Sequence, residues 1–195
     1  MGRIIGLTGG IATGKSTAAD YLGQHHGLPV LDADIYAREA VGMESPILAA
    51  IADRYGNQIL LPDGSLNRAA LGEIIFNDPA EKGWLEQQIH PYVRQRFAEA
   101  MAELDAPLVV HAIPLLFEAD LTDQVGEIWV VICSADQQLQ RLMARNQLSQ
   151  AQAQARIASQ MSLEEKAARA DRVLDNSGDR LHLYRQIDAA LEVKP

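Results

Sequence analysis

The most specific chemical signal in the sequence is Gly9-Gly10-Ile11-Ala12-Thr13-Gly14-Lys15-Ser16-Thr17. Read as Gly-x-x-x-x-Gly-Lys-Ser, it matches the phosphate-binding loop pattern. The residue types follow from the task. Glycine lets the backbone turn tightly and approach a ligand. Successive backbone N–H groups then converge on one concavity that binds phosphate oxygens. Lys15 can reach the β- and γ-phosphates of a nucleotide, and the Ser16 hydroxyl is a hard oxygen ligand suited to Mg²⁺. Ala12, Thr13, Gly14, Lys15, Ser16 and Thr17 are therefore the expected phosphate-binding residues.

Other groups with chemical potential lie further along. Val30-Leu31-Asp32-Ala33-Asp34 reads as a short strand ending in two acids. In a strand, residues two apart face the same way. One carboxylate would serve as general base with its neighbour near a metal; the alternative is an N-cap for a helix from Ile35 to Ala40. Arg141 and Arg145 are four apart and share a helix face. Glu118 lies just past an apolar run and faces either the site or solvent. His111, inside that run, reads as a core histidine. Cys133, at the end of Ile128–Cys133, reads as a small buried hydrophobe.

These groups need a scaffold. Arg3-Ile4-Ile5-Gly6-Leu7-Thr8 has the apolar content of a buried strand, and Ala19 and Leu22 mark a helix beyond the loop. Strand, loop, helix is the context the motif requires, with phosphates at a helix N-terminus. Leu108–Ile113 and Ile128–Cys133 are continuous apolar runs, as in strands covered on both faces of a parallel sheet. Arg172–Asp175 is a last short strand, and Leu181, Tyr184, Ile187 and Leu191 mark a closing helix.

Between these strands, residues 36 to 105 carry helical periodicity: Ile47, Leu48, Ile51 and Tyr55; then Leu71, Ile74 and Ile75; then Trp84, Leu85 and Ile89 before His90-Pro91; then Val93, Phe97, Met101 and Leu104. That is too long for a simple crossover and reads as a helical insertion able to hold a second substrate. Residues 136 to about 169 read as a helical, glutamine-rich and solvated stretch with scattered cations: Arg141, Arg145, Arg156, Lys166 and Arg169. They read either as surface charge or as a lid closing arginines over phosphates.

The totals set bounds. The chain has 195 residues, 48% hydrophobic and 22% charged, as a globular protein should. No apolar run approaches the roughly 20 residues of a membrane span. The N-terminal apolar run breaks into the phosphate loop and lacks a signal-peptide pattern, so a cytoplasmic protein is expected. A single cysteine rules out an internal disulfide framework. The net charge of −9 disfavours nucleic acid as a partner and requires any phosphate-binding charge to be local. Arginine outnumbers lysine 13 to 4, which suits bidentate phosphate contacts.

A phosphate loop names a ligand group, not a reaction. A small-molecule kinase accounts for the loop, the helical insertion and the cationic stretch together. A GTPase normally carries an Asn/Thr-Lys-x-Asp segment, and Lys82, Lys166 and Lys194 do not sit in one. A nucleotide-binding adaptor would leave the acids and cations without a task.

Over nearly its whole length the sequence resembles the dephospho-CoA kinase family. The resemblance rests on Gly6-Leu7-Thr8-Gly9-Gly10-Ile11 and Gly14-Lys15-Ser16-Thr17; Asp32-Ala33-Asp34; Gly64-x-Leu66-x-Arg68-x-x-Leu71; Ile75-Phe76; and His90-Pro91. It continues with Pro114-Leu115-Leu116-x-Glu118; Gln138-Leu139-x-Arg141-Leu142; and Ala170-Asp171 with Asp175-Asn176-x-Gly178. At Ala12-Thr13 the family usually has Gly-Ser, and alanine is tolerated there only if the position is not left-handed.

The resemblance implies an α/β fold, a P-loop three-layer parallel sheet flanked by helices, with a helical acceptor insertion and a helical lid. Residues 1–35, 106–140 and 170–195 would form the core, 36–105 the acceptor subdomain and 141–169 the lid. It implies transfer of the ATP γ-phosphoryl to the ribose 3′-hydroxyl of dephospho-CoA, with Mg²⁺. Asp34 would be the base, Arg141 the lid cation, Lys15 and Ser16 the grip on phosphate and Mg²⁺, and Asn176 a neighbour of the adenine. Asp32, Arg68, His90 and Glu118 fall in the substrate or metal neighbourhood. The expected partners are ATP and dephospho-CoA, in a monomer or small homo-oligomer.

Overall fold

The structure, a computed structural model, describes residues 2–192. Its core is one parallel sheet of β1 (Arg3–Gly9), β2 (Val30–Asp32), β3 (Leu108–Ala112), β4 (Glu127–Ile132) and β5 (Arg172–Asp175), in the order β2-β3-β1-β4-β5. The central strand pairs Ile5 with Val110 on one side and Leu7 with Trp129 on the other. Ile5, Leu7, Val110 and Trp129 are fully buried, which explains why these strands read as unbroken apolar runs. Helices α1 (Lys15–Gln24) and α9 (Arg180–Glu192) supply Ala18, Leu22, Leu183 and Ile187 to the same core.

Topology places the site. The connection leaving β1 runs toward β2, whereas that leaving its neighbour β4 runs toward β5. The carboxyl ends of β1 and β4 therefore flank a switch point, where open parallel sheets leave a crevice for ligands.

Chain contacts divide the molecule into two compact units: residues 1–32 with 105–195, and Ala33–Leu104. The second unit is helical: α2 (Ala33–Ala40), α3 (Pro46–Tyr55), α4 (Arg68–Asn77) and α5 (Pro79–Glu103). Its own core is Val41, Leu48, Ile51, Ile59, Leu66, Leu71 and Leu85. Ser45 caps α3 and Asp78 caps α5, each followed by a proline at the first helical position, a combination that starts helices efficiently. The periodicity seen on either side of His90-Pro91 belongs to one helix that runs through Pro91.

Two sequence expectations change here. Strand β2 ends at Asp32 and α2 begins at Ala33, so Asp34 stands in the first turn of a helix and strand alternation does not align it with Asp32. The stretch from 136 to 169 is three helices: α6 (Ala135–Asn146), α7 (Gln150–Ala158) and α8 (Leu163–Ala168). Gln147 ends α6 in a left-handed conformation, and Ser149 and Ser162 open the next two through capping boxes. Residue 141 falls inside α6, which ends at Asn146.

His111 and Cys133 are buried, as read from their apolar runs. Burial pushes the Cys133 thiol up and the His111 imidazole down to about 4. The unfolded imidazole titrates near 6.5, so below that pH the unfolded chain takes up a proton that the folded chain refuses. This contribution to stability is complete above pH 6.5, falls progressively below it and is fully lost by about pH 4. It predicts a loss of about 2 kcal/mol between pH 7 and pH 5, on the scale of the cited shift. Urea unfolding at the two pH values measures it, and His111→Gln is expected to remove most of the difference.

Candidate active site

Residues at or just past the carboxyl ends of β1, β2, β3 and β5 gather around the loop. The loop after β1 turns into α1 at Gly14, whose φ of 105° is accessible to glycine and strained for other residues. Lys15 is the first residue of α1 and only 8% exposed. Its Nζ lies 3.2 Å from Oδ2 of Asp32, the last residue of β2. The lysine is thus held extended beside the loop rather than free in solvent. Ser16, the next residue, is exposed, and among the described residues its hydroxyl takes part in no hydrogen bond.

The loop is braced from within and from below. The Thr13 hydroxyl donates to Gly10 O at 2.9 Å, and the Thr13 N–H points to the same carbonyl at 3.3 Å. Thr13 is fully buried, so its side chain holds the loop's shape. Asn176, just past β5, is also buried, and its Nδ2 donates to Thr13 O at 2.8 Å. Arg141, on α6, donates through Nη2 to Asn176 O at 3.1 Å. Asn176 and Arg141 therefore form one chain of contacts that ends on the loop. Arg145 is exposed and bonds to the neighbouring Asn146.

Ala12 departs from expectation. Its φ is 62°, so the position is left-handed. An L-residue there pays roughly 1–2 kcal/mol, which the surrounding bonds must overcome. Ala12→Gly is expected to stabilise the fold by about 0.5–1 kcal/mol, because relief of strain is partly offset by a more flexible unfolded chain. Thermal unfolding should rise by roughly 1–4 °C for a chain of this size.

Glu118 and Lys166 meet. Lys166 reads in the sequence as one more surface cation, yet its side chain is fully buried. Its Nζ lies 2.9 Å from Glu118 Oε1 and donates to Pro114 O at 3.1 Å and toward Gly9 O at 3.5 Å. Glu118 Oε1 also accepts from Met161 N at 3.1 Å. A buried ammonium survives only with such a full set of acceptors. Helix α8 is therefore anchored at the base of the phosphate loop, and the solvated-surface reading fails for it. Only a tertiary contact reveals this; a lone lysine between capping residues carries no local signal of burial.

In the helical unit, Asp34 occupies the first turn of α2. Arg68 is exposed at the start of α4, and its Nη2 approaches Arg38 O at 3.3 Å. His90 is exposed on α5.

A five-stranded parallel sheet with a phosphate loop at its switch point, entering a helix through Gly14-Lys15-Ser16, defines a P-loop nucleotide-binding protein. The sequence model of the dephospho-CoA kinase family matches residues 3–181. The chain belongs to that family. A dephospho-CoA kinase of Trichormus variabilis is 65% identical over 97% of this chain and 96% of its own length. Among solved structures, a protein of Thermus thermophilus is 37% identical, with a TM-score of 0.83 and coverage of 100% and 99% of the two chains. A dephospho-CoA kinase from Campylobacter jejuni is 29% identical, with a TM-score of 0.71 and coverage of 98% and 96%. Among the described residues, no helix is long and apolar enough to cross a membrane.

Proposed function

We propose that this chain transfers the γ-phosphoryl group of ATP to the ribose 3′-hydroxyl of dephospho-CoA, giving CoA and ADP, the last step of CoA synthesis. One observation carries the reading: a braced phosphate loop at the switch point of a chain in this family.

The residues divide the work. Backbone N–H groups from Ala12 to Thr17 receive the phosphates at the N-terminus of α1, where the helix dipole favours negative charge. Lys15, held by Asp32, adds a positive charge for the β- and γ-phosphates. The exposed Ser16 hydroxyl is a hard oxygen donor and, together with phosphate oxygens, suits Mg²⁺. Bound there, Mg²⁺ would neutralise charge on the phosphates. Phosphoryl transfer is mostly positioning plus charge stabilisation. Asp34 accepts a hydrogen bond from the 3′-hydroxyl, aims its lone pair at phosphorus and takes the proton late. Arg141 offsets charge on the transferring group, and Asn176, which braces the loop, belongs to the segment expected near the adenine.

The helical unit, with Arg68 and His90, holds the acceptor. The lid lies within 141–169, and α7 is its moving part, because Lys166 fixes α8. We place the protein in the cytoplasm as a monomer or small homo-oligomer acting on small molecules, not on nucleic acid.

The test is ADP release with ATP·Mg²⁺ and dephospho-CoA, AMP, CMP, UMP, adenosine or no acceptor. Turnover confined largely to dephospho-CoA supports the reading. Turnover with a nucleoside monophosphate instead overturns the substrate but not the P-loop chemistry, and no acceptor-dependent turnover overturns the reaction.

A further inference from the structure

Ile11 sits at the tip of the phosphate loop, and both polar groups of its backbone are taken by side chains from distant segments. Gln138, on α6 and 5% exposed, donates from Nε2 to Ile11 O at 2.9 Å. Gln160, in the connector between α7 and α8, accepts the Ile11 N–H on Oε1 at 2.8 Å. The amide orientations are fixed by these partners, because a carbonyl needs a donor and an N–H needs an acceptor.

Gly10 supplies an independent observation. The P-loop pattern leaves its position free, and its φ is not among the left-handed ones. A Cβ there would lie 2.8 Å from Gln138 Nε2 and 2.9 Å from Leu163 Cδ2. A side chain at this position would displace the Gln138 amide, so glycine leaves room for the group that grips the next residue. The loop also needs holding, since it carries the left-handed Ala12 immediately after Ile11.

We infer that Gln138 and Gln160 are positioning residues that clamp the phosphate loop through Ile11, with Gly10 making space for Gln138. The inference rests on the reading of this loop as the ATP site. The clamp presets the loop for phosphate, so its loss weakens ATP binding and leaves acceptor binding unchanged. It also ties the α7–α8 connector to the loop that the nucleotide occupies.

The two glutamines have opposite hydrogen-bond roles, and the same substitution separates them. Gln138→Glu loses the donor and sets a carboxylate against Ile11 O. Gln160→Glu keeps an acceptor for the Ile11 N–H. Both add one negative charge, so charge alone predicts similar effects. The measurements are the dissociation constant of a fluorescent ATP analogue with Mg²⁺, the KM values for ATP and dephospho-CoA, and Tm.

Gln138→Glu and Gln160→Leu are expected to weaken ATP binding about tenfold, the scale of one lost buried hydrogen bond. Gln160→Glu should stay within about threefold of the parent, with KM for dephospho-CoA unchanged in all three. Equal weakening by the two glutamate variants, or ATP binding unchanged in Gln138→Glu and Gln160→Leu, overturns the clamp. Gln160 is half-buried on a connector, so its Glu/Leu pair decides the matter even if Gln138→Glu does not fold. A parent protein that binds the ATP analogue but does not phosphorylate dephospho-CoA sinks the proposed reaction and leaves the clamp standing.

Discussion

Asp34→Asn is expected to lower kcat by about 10²–10⁴-fold, the range for loss of a positioned general base, with little change in KM for ATP. The substitution keeps size and removes the proton acceptor. An acid in the first turn of α2 also favours the helix by up to about 1 kcal/mol, so Tm is measured beside kcat to separate lost folding from lost chemistry. Asp32→Asn is the informative companion. Its oxygen can still face Lys15 Nζ, now as a neutral partner, so a loss below about tenfold is expected. The two acids sit in different elements, one closing β2 and the other inside α2. Steady-state kinetics on both variants decides the assignment: a larger loss in Asp32→Asn moves the base to Asp32.

Gly14→Ala is expected to abolish measurable ATP binding, a loss above 100-fold, and to cost at least about 3 kcal/mol of stability. Two effects add. The backbone φ of 105° is strained for alanine, and the new Cβ would lie 2.0 Å from Asn176 Nδ2. Asn176 cannot step aside cheaply, because its side chain holds Thr13 O and its backbone holds Ile132 O and Arg141. Adding Asn176→Ala should recover part of the stability by removing the clash, but not the binding, since the strain remains and Thr13 O loses its partner. Calorimetric Tm and titration with the ATP analogue check both statements. Near-parental binding in Gly14→Ala would mean that the loop does not use this conformation.

The sheet was legible because parallel strands buried on both faces must be apolar throughout, and no other feature competes with Ile4-Ile5 or Trp129-Val130-Val131. The phosphate loop was legible because its glycines and lysine are imposed by the ligand. The carboxyl end of β2 was not. Val30-Leu31-Asp32 and Ala33-Asp34 differ little in propensity, and the turn into α2 follows from the helix packing within its own unit. A proline inside a helix costs a backbone hydrogen bond, yet α5 runs through Pro91, as the apolar spacing on both sides of it allows. Ala12 was read under the rule that alanine avoids the left-handed region; the bonds on Thr13 and Ile11 override that preference. Lys166 reads in the sequence either as surface charge or as a lid cation, and Gln160 belongs to a glutamine-rich stretch that reads as solvated, because polar residues at helical spacing mark an exposed face. Their partners, Glu118 and Ile11, lie 48 and 149 residues away, a distance at which no local pattern carries information.

The strand order also bears on how the chain is made. The middle strand β1 emerges first from the ribosome, but its partners β3 and β4 begin at residues 108 and 127. At translation rates of roughly 5–20 residues per second, β1 waits several seconds with both edges unpaired. The helical unit, by contrast, is one continuous segment from Ala33 to Leu104 and can condense on local contacts while the chain is still growing. Nascent-chain folding should therefore begin in the middle of the sequence, leaving Arg3–Gly9 as the segment with the longest need of chaperone shelter.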